Sequence, residues 1–151
     1  MNLLYTITQN KNFLLTMLLG LCFSFGFSQE MKNHLHKKLI AKVGGIYEET
    51  PDDNPCAGSE IYLILEFEET LIHISEMEIS SCNKESNHKI GTYNWRLASN
   101  DAIQVDFIAK EIENTYANQL QLKLKDENII GNITHQNGKV VAYIFKEATA
   151  L

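Results

Sequence analysis

Clusters of basic residues are scarce in this chain of 151 residues, in which no run of Lys or Arg exceeds Lys37-Lys38. Acidic residues outnumber basic residues by 19 to 13, which gives a formal net charge of −6 at pH 7. A nucleic-acid groove and an anionic membrane surface both attract concentrated positive charge, so this composition argues against either partner. Proline is scarce too, because Pro51 and Pro55 are the only two, and both fall between predicted strands.

Charge is almost absent from the first 28 residues, in which Lys11 is the only charged side chain. The apolar run that follows, 13–23, has the length of a signal-peptide core and is too short to span a bilayer. Cleavage after Ser28 would leave small residues at the two positions that signal peptidase reads. The sequence therefore predicts a signal peptide over 1–28 and a mature protein that begins at Gln29.

Lipidation requires a small residue directly before the acylated cysteine, and Leu21 precedes Cys22 here. We therefore expect soluble export to the periplasm or the exterior rather than a lipoprotein. The two cysteines of the mature chain, Cys56 and Cys82, are expected to form a disulfide in such an oxidising space. A redox or metal role would need a second cysteine nearby, as in C-x-x-C, and the sequence has none.

Apolar and polar residues alternate with period two along most of the mature chain, and turn-forming residues interrupt them at short intervals. No connection is long enough for a parallel crossover. The pattern predicts an all-β fold, an eight-stranded antiparallel up-and-down barrel over 44–151, with a two-sheet sandwich as the alternative. The strands are expected at about 45–50, 60–67, 71–80, 89–97, 103–109, 119–124, 129–135 and 140–146.

The register of the hairpins follows from setting apolar residues opposite one another, because a slip of one residue would turn a whole face into water. A bulge near Ser75-Glu76 is expected to bring Leu63 opposite Met77, and Asn137-Gly138 to form a two-residue type I′ turn. The other expected pairs are Phe67–Ile72, Leu65–Ile74, Tyr93–Phe107, Trp95–Val105, Leu97–Ile103, Leu120–Ile133, Leu122–Gly131, Leu124–Ile129 and Ile130–Phe145.

Residues 29–43 show a longer period, with Met31, Leu35 and Leu39 spaced four positions apart and Gly44-Gly45 after them. This spacing predicts a short amphipathic N-terminal helix over 29–43. We expect that helix to pack on an apolar outer face of the last hairpin.

Three short motifs resemble small bacterial lipocalin-like barrels, in particular the amino-terminal domain of the NlpE copper-resistance and envelope-stress lipoproteins. They are Gly45-Ile46-Tyr47, Pro55-Cys56-Ala57 and Gly91-Thr92-Tyr93-Asn94-Trp95. The resemblance implies a lipocalin-like barrel and, beyond it, copper handling or stress signalling. The family pattern has a second cysteine three residues after the first, where this chain has Ser59, and the family is anchored through an acylated cysteine.

A lipocalin-like barrel of eight strands can be filled by its own side chains or can hold one small apolar ligand. A binding module for such a ligand is the leading functional expectation, with no cofactor and an oligomeric state left open. The candidate cavity residues are Leu63, Leu65, Tyr93, Trp95, Phe107 and Leu122.

Two other roles remain open at this point. The acidic loop 48–54 could bind an envelope protein, as a stress sensor or a secreted inhibitor would. Weak copper binding would use Cys56, Met77 and His73, which are soft or imidazole ligands, but it would require a reduced cysteine. Enzyme activity is not expected, since Ser80 and Ser81 lie in no nucleophile elbow, and no metal site is predicted.

Overall fold

Eight antiparallel strands follow one another around a closed barrel in the computed structural model, which describes residues 31–46 and 56–148. The predicted fold class is therefore confirmed. The strands are β1 (Lys38–Ile46), β2 (Ser59–Phe67), β3 (Leu71–Ser80), β4 (Glu85–Leu97), β5 (Ala102–Val105), β6 (Gln121–Lys125), β7 (Asn128–Thr134) and β8 (Val140–Glu147). One helical turn, α1 (Ala109–Ile112), lies between β5 and β6.

Some of the predictions fall on residues outside the described part of the chain. These are the signal peptide over 1–28 and the acidic loop 48–54. Within the described ranges, no helix combines the length and the apolar character that crossing a membrane demands.

The barrel closes at β1, which pairs with β2 on one side and with β8 on the other. The seam with β8 is short, consisting of the pairs Leu39–Glu147 and Ile40–Lys146. A further bond runs from the N–H of Ala148 to the carbonyl of Lys38 over 2.8 Å, and Lys37 forms an ion pair with Glu147. Both edges of the meander are thereby paired, which removes the open strand edge that an unclosed sheet would expose.

The predicted helix over 29–43 is wrong, because its second half is strand β1. Residues 31 and 32 are helical, but the chain from Lys38 onward is extended. Leu39 belongs to the four-residue spacing and also to a period-two series with Ala41 and Val43, all three of which are buried. Pairing with β2, which sets Leu39 opposite Leu65 and Ala41 opposite Leu63, selects the strand. A short segment with both periods is decided by its tertiary partner.

The inside of the barrel is packed with aliphatic and aromatic side chains. Gly131 illustrates the density, since a Cβ added there would lie 2.6 Å from Cε2 of Phe145 and 3.0 Å from Cδ1 of Leu120. The side chains in this core that are at most 2% exposed include Leu39, Leu63, Leu65, Phe67, Ile72, Ile74, Leu124, Ile129, Ile133 and Phe145.

Most of the predicted register is confirmed by the strand pairing. The confirmed pairs are Phe67–Ile72, Leu65–Ile74, Trp95–Val105, Leu97–Ile103, Leu122–Gly131 and Leu124–Ile129. The pairing of β4 with β5 ends at Trp95–Val105, and that of β6 with β7 begins at Gln121–Asn132. The rings of Tyr93 and Phe107 nevertheless meet, with their centroids 5.2 Å apart.

The bulge predicted near Ser75-Glu76 is absent from the pairing of β2 with β3, which is continuous and sets Leu63 opposite Glu76. The irregularities lie instead in β1, between Lys42 and Gly44, and in β4, opposite Ile74 and Ser75. The prediction assumed that Met77 points inward. Met77 is buried, at 4% exposed, but it lies opposite Tyr62 and not opposite the inward-pointing Leu63. Its side chain is therefore on the outer face of the sheet. The carboxylate of Glu76 points inward in its place.

The last hairpin also differs from its prediction. The N–H of His135 bonds to the carbonyl of Lys139, and Gly138, at φ 76°, donates its N–H to the carbonyl of His135. The loop is therefore three residues long, with glycine in the left-handed position, rather than a two-residue type I′ turn. The register accordingly sets Ile129, not Ile130, opposite Phe145. Val140 and Ile144 lie on the outer face, 60% and 53% exposed.

The predicted disulfide joins Cys56 and Cys82, whose Cα atoms are 5.0 Å apart and 26 positions apart in sequence. Beside it, the N–H of Ser81 donates to the carbonyl of Gly58 over 3.0 Å. The disulfide thus ties the segment before β2 to the turn between β3 and β4. A closed loop of this size restricts the unfolded chain and stabilises the fold by about 3.5 kcal/mol in the chain-entropy estimate.

We expect the double variant Cys56→Ser/Cys82→Ser to lose about 3.5 kcal/mol of unfolding free energy in urea denaturation, because its unfolded chain regains that freedom. The reduced wild-type protein is the matched control and should lose a similar amount. A loss below about 1 kcal/mol would contradict the chain-entropy account for this domain.

Candidate functional site

The barrel wall opens between β5 and β6. These strands form only two pairs, Ala102–Lys123 and Ile103–Leu122, whereas β5 continues its pairing with β4 as far as Val105. Beyond Ile103 the two chains diverge and leave a cleft of about 530 Å³. We call it the β5–β6 cleft.

The floor of the β5–β6 cleft is apolar. Ile103, Leu120 and Leu122 are between 4% and 6% exposed, and all three line it. Phe107 is half-buried at its edge and contacts the inward-pointing ring of Tyr93. An apolar molecule in the cleft would therefore rest on the outermost layer of the core.

The mouth of the cleft is polar and carries positive charge. Arg96 and Lys123 line it and are exposed. Nη1 of Arg96 lies 3.4 Å from Oδ1 of Asp106, with side-chain exposures of 64% and 53%. A solvated pair of this length is weak, so the guanidinium remains available to a second anion.

The six predicted cavity residues do not form one wall. Leu63, Leu65 and Tyr93 are at most 2% exposed, so they retain almost no surface that water could reach, even from an internal cavity. Leu122 and Phe107 line the β5–β6 cleft. Trp95 lies near the turn between β2 and β3, where its Nε1 donates to the carbonyl of Glu68 over 2.9 Å and its ring meets the edge of Phe67.

Sequence reasoning missed the cleft residues Ile103, Leu120, Arg96 and Lys123. The hairpin registers had already placed Ile103 and Leu120 on the inner face, so their burial could be predicted. The early end of β5 could not be predicted from the sequence, because the apolar and polar residues beyond Val105 keep alternating, as in a strand, as far as Phe107.

One end of the barrel is covered by the segment 108–119, which connects β5 to β6 and contains α1. We call this segment the strap. Ile112 and Ala117 anchor it, since they are 8% and 0% exposed. Two polar contacts hold it as well: the hydroxyl of Tyr93 donates to Oε2 of Glu111 over 2.9 Å, and the N–H of Tyr116 donates to the carboxylate of Glu76.

Close approach of the strap to the wall depends on glycine. A Cβ on Gly44 would overlap the hydroxyl of Tyr116, and one on Gly91 would lie 2.8 Å from Oε2 of Glu111. Burial, together with the hydrogen bond and the charge of Glu111, raises the pKa of Tyr93 to about 12. The phenol therefore stays protonated and continues to donate over the whole physiological range.

The Glu76 carboxylate lies half-buried beneath the strap. Burial raises its pKa, and the hydrogen bond from Tyr116 and the nearby His88 offset part of that effect. The ionised form is thus less favourable in the folded protein than in the unfolded chain.

The ligand set considered for copper is engaged elsewhere. Cys56 is bonded to Cys82, and the ring nitrogens of His73 lie 2.8 Å from Oγ1 of Thr92 and 3.0 Å from Oε1 of Glu68. Over residues 31–46 and 56–148, no three side chains of the His, Cys, Asp and Glu types come together in a way that could hold a metal ion.

Comparison with known proteins adds no relative, since no protein-family model, no curated protein and no solved structure matches this chain.

We expect Gly44→Ala to lower the unfolding free energy by about 1–3 kcal/mol, because the added methyl group forces Tyr116 away from β1. Urea denaturation measures the effect. The same substitution in a Tyr116→Ala background is the control, since it should cost much less once the ring is gone. An equal cost in both backgrounds would contradict the proposed contact.

Glu76→Gln tests the buried carboxylate through the pH dependence of stability. Because the pKa of Glu76 in the folded protein is raised above its ordinary value of 4.5, the wild-type protein loses stability as pH rises from 4.5 through the folded-state pKa. The amide oxygen of Gln still accepts the N–H of Tyr116 and carries no charge. We therefore expect the variant to gain stability relative to wild type as pH rises above 4.5.

Glu78→Gln, an exposed carboxylate on the same strand, controls for the loss of one negative charge. Urea denaturation of the three proteins across this range measures the difference. A stability difference between Glu76→Gln and wild type that did not change with pH would show that the Glu76 carboxylate is not desolvated as described.

Proposed function

We propose that this chain is an exported binding module that holds a small amphipathic molecule, with an apolar body and an anionic head group, in the β5–β6 cleft. The observation that carries the proposal is the divergence of β5 from β6 beyond Ile103, which leaves a cleft in the barrel wall with half-buried Val105 and Phe107 above a nearly buried apolar floor. The cleft volume of about 530 Å³ falls in the range of small-molecule sites, about 300–1,000 Å³.

The chemistry of the ligand follows from the lining. Val105 and Phe107 are half-buried and offer apolar surface above the nearly buried Leu120 and Leu122, so the body of the ligand should be a hydrocarbon chain or ring. Arg96 and Lys123 at the mouth outnumber the single carboxylate, Asp106, and therefore favour an anionic head. A carboxylate on a medium-length alkyl chain satisfies both requirements.

Export is part of the same proposal. The disulfide between Cys56 and Cys82 supports it, because such bonds persist in oxidising spaces and are rare in the cytosol. The apolar run over 13–23 supports it independently from the sequence.

Binding of decanoate, measured by calorimetry, tests the site, with decanol as the uncharged counterpart. We expect Phe107→Ala to weaken decanoate binding about tenfold or more, because the ring supplies much of the apolar surface at the edge of the floor. Ile108→Ala is the matched control, since Ile108 is 53% exposed and lies outside the cleft lining. Equal losses in the two variants, or no binding of either probe, would overturn the proposal.

A comparison of decanoate with decanol tests whether the cleft prefers an anionic head group. The double variant Arg96→Gln/Lys123→Gln should weaken decanoate and leave decanol nearly unchanged, because only the carboxylate interacts with the two cations. The fluorescence of Trp95 provides a second measurement of binding, since its strand partner Val105 lines the cleft.

A further inference from the structure

A second depression, separate from the β5–β6 cleft, lies at the strap end of the barrel. It runs between strap residues 113–118 and the hairpin residues 133–137 and has a volume of about 630 Å³. We call it the strap groove. None of its lining residues is shared with the cleft, so its function does not depend on the one proposed above.

His135 in the wall of the strap groove is held in one tautomer by a chain of hydrogen bonds. The hydroxyl of Tyr143 lies 3.1 Å from the carbonyl of Val43 and donates its proton there. Burial and the neighbouring Tyr116 raise the pKa of Tyr143, so the phenol keeps that proton. Nε2 of His135, 2.9 Å from the same hydroxyl, must then donate to it. Nδ1 is consequently an acceptor, and it has no partner among the described residues.

The hairpin fixes the position of this imidazole. Its backbone is tied by the two hydrogen bonds that close the three-residue loop, from the N–H of His135 to Lys139 and from the N–H of Gly138 to His135. The strap side is equally ordered, because Oγ1 of Thr115 donates to the carbonyl of Ile112 and Nδ2 of Asn118 donates to the carbonyl of Glu113. The groove is therefore formed before any ligand arrives, which lowers the entropic cost of binding.

The polar groups that remain unused in the strap groove are acceptors and amides. Glu113 contributes a carboxylate, and Asn114 and Gln136 contribute amides, and these three side chains make no hydrogen bond within the described part of the chain. Each amide donates and accepts at once, as each hydroxyl of a polyol does. The ring of Tyr116, with its centroid 6.3 Å from that of His135, adds a flat apolar surface.

Charge restricts the class of ligand further. Among residues 31–46 and 56–148, no Lys or Arg lines the groove, and Glu113 is the only acidic residue that does. A phosphate, a nucleotide or an acidic sugar would meet repulsion with no compensating cation. An apolar molecule would leave the imidazole nitrogen and the amides without partners.

We infer that the strap groove binds an uncharged saccharide, whose hydroxyl groups donate to Nδ1 of His135 and to Glu113 and exchange hydrogen bonds with Asn114 and Gln136. One apolar face of a sugar ring rests against Tyr116. The protein thus carries two independent sites, one for an amphipathic anion and one for a neutral, hydroxyl-rich molecule.

Amide chemical shifts in the full mature chain test this inference, with cellobiose, maltose and chitobiose at 10 mM as probes. At least one should shift the signals of His135, Gln136 and Tyr116, and glycerol at a matched hydroxyl concentration should not. A probe with a carboxylate on the sugar ring, glucuronate, should bind more weakly than the neutral sugars.

Two variants locate the binding site. We expect His135→Phe to weaken saccharide binding at least tenfold, and Gln136→Ala, in an exposed turn where folding is not at stake, to weaken it severalfold. His88→Phe, at an exposed histidine outside the groove, is the control. The inference is overturned if no sugar of the panel shifts these signals, if glycerol reproduces the shifts, or if Gln136→Ala and His88→Phe bind equally. None of these outcomes bears on the decanoate proposal, because the two sites share no lining residue.

Discussion

The difference in length between β4 and β5 determines the rest of the architecture. β4 has 13 residues and β5 has 4, and only Trp95, Arg96 and Leu97 of β4 have a β5 partner. The chain fills that space with the strap, which crosses the end of the barrel before β6 begins. The β5–β6 cleft opens where the strap departs, and the strap groove lies where it passes the last hairpin. Both candidate sites are thus consequences of one strand that ends early.

The strap covers the barrel end with polar as well as apolar contacts. Glu76 and Tyr93 point toward it from the wall, and they satisfy the N–H of Tyr116 and the carboxylate of Glu111. An apolar plug would bury more hydrocarbon, but it would leave those strap groups without partners. The arrangement places titratable groups where an ordinary barrel core would hold aliphatic side chains, and burial shifts the pKa values of both Glu76 and Tyr93 upward.

The sequence predicted the parts of the fold in which local pattern and pairing agree. Leu97–Ile103 and Leu124–Ile129 flank short turns, so the alternation and the loop length select one register. Prediction failed where two patterns competed. Leu39 fits both a helix and a strand, and only the partner strand decides. The inward position of Glu76 contradicts the hydrophobic alternation and arises because the strap, distant in sequence, supplies a donor for its carboxylate.

The candidate sites were harder to predict than the fold. Phe107 and Leu122 were found from their apolar character, but so were Leu63 and Leu65, which are sealed in the core. Hydrophobicity alone does not distinguish a side chain that fills the interior from one that lines a cleft. The tautomer of His135 was beyond sequence reasoning, since it depends on Tyr143 and on a carbonyl in β1.

The seam between β1 and β8 has a consequence for how the molecule is made. Its two strands stand at opposite ends of the chain, and Lys37 and Glu147 beside it are 110 positions apart. Loop closure over such a distance is slow and comes late in folding. Until β8 has been synthesised, β1 and β7 each present an unpaired edge to any neighbouring chain, so a nascent or truncated molecule carries two templates for aggregation that the finished barrel has eliminated.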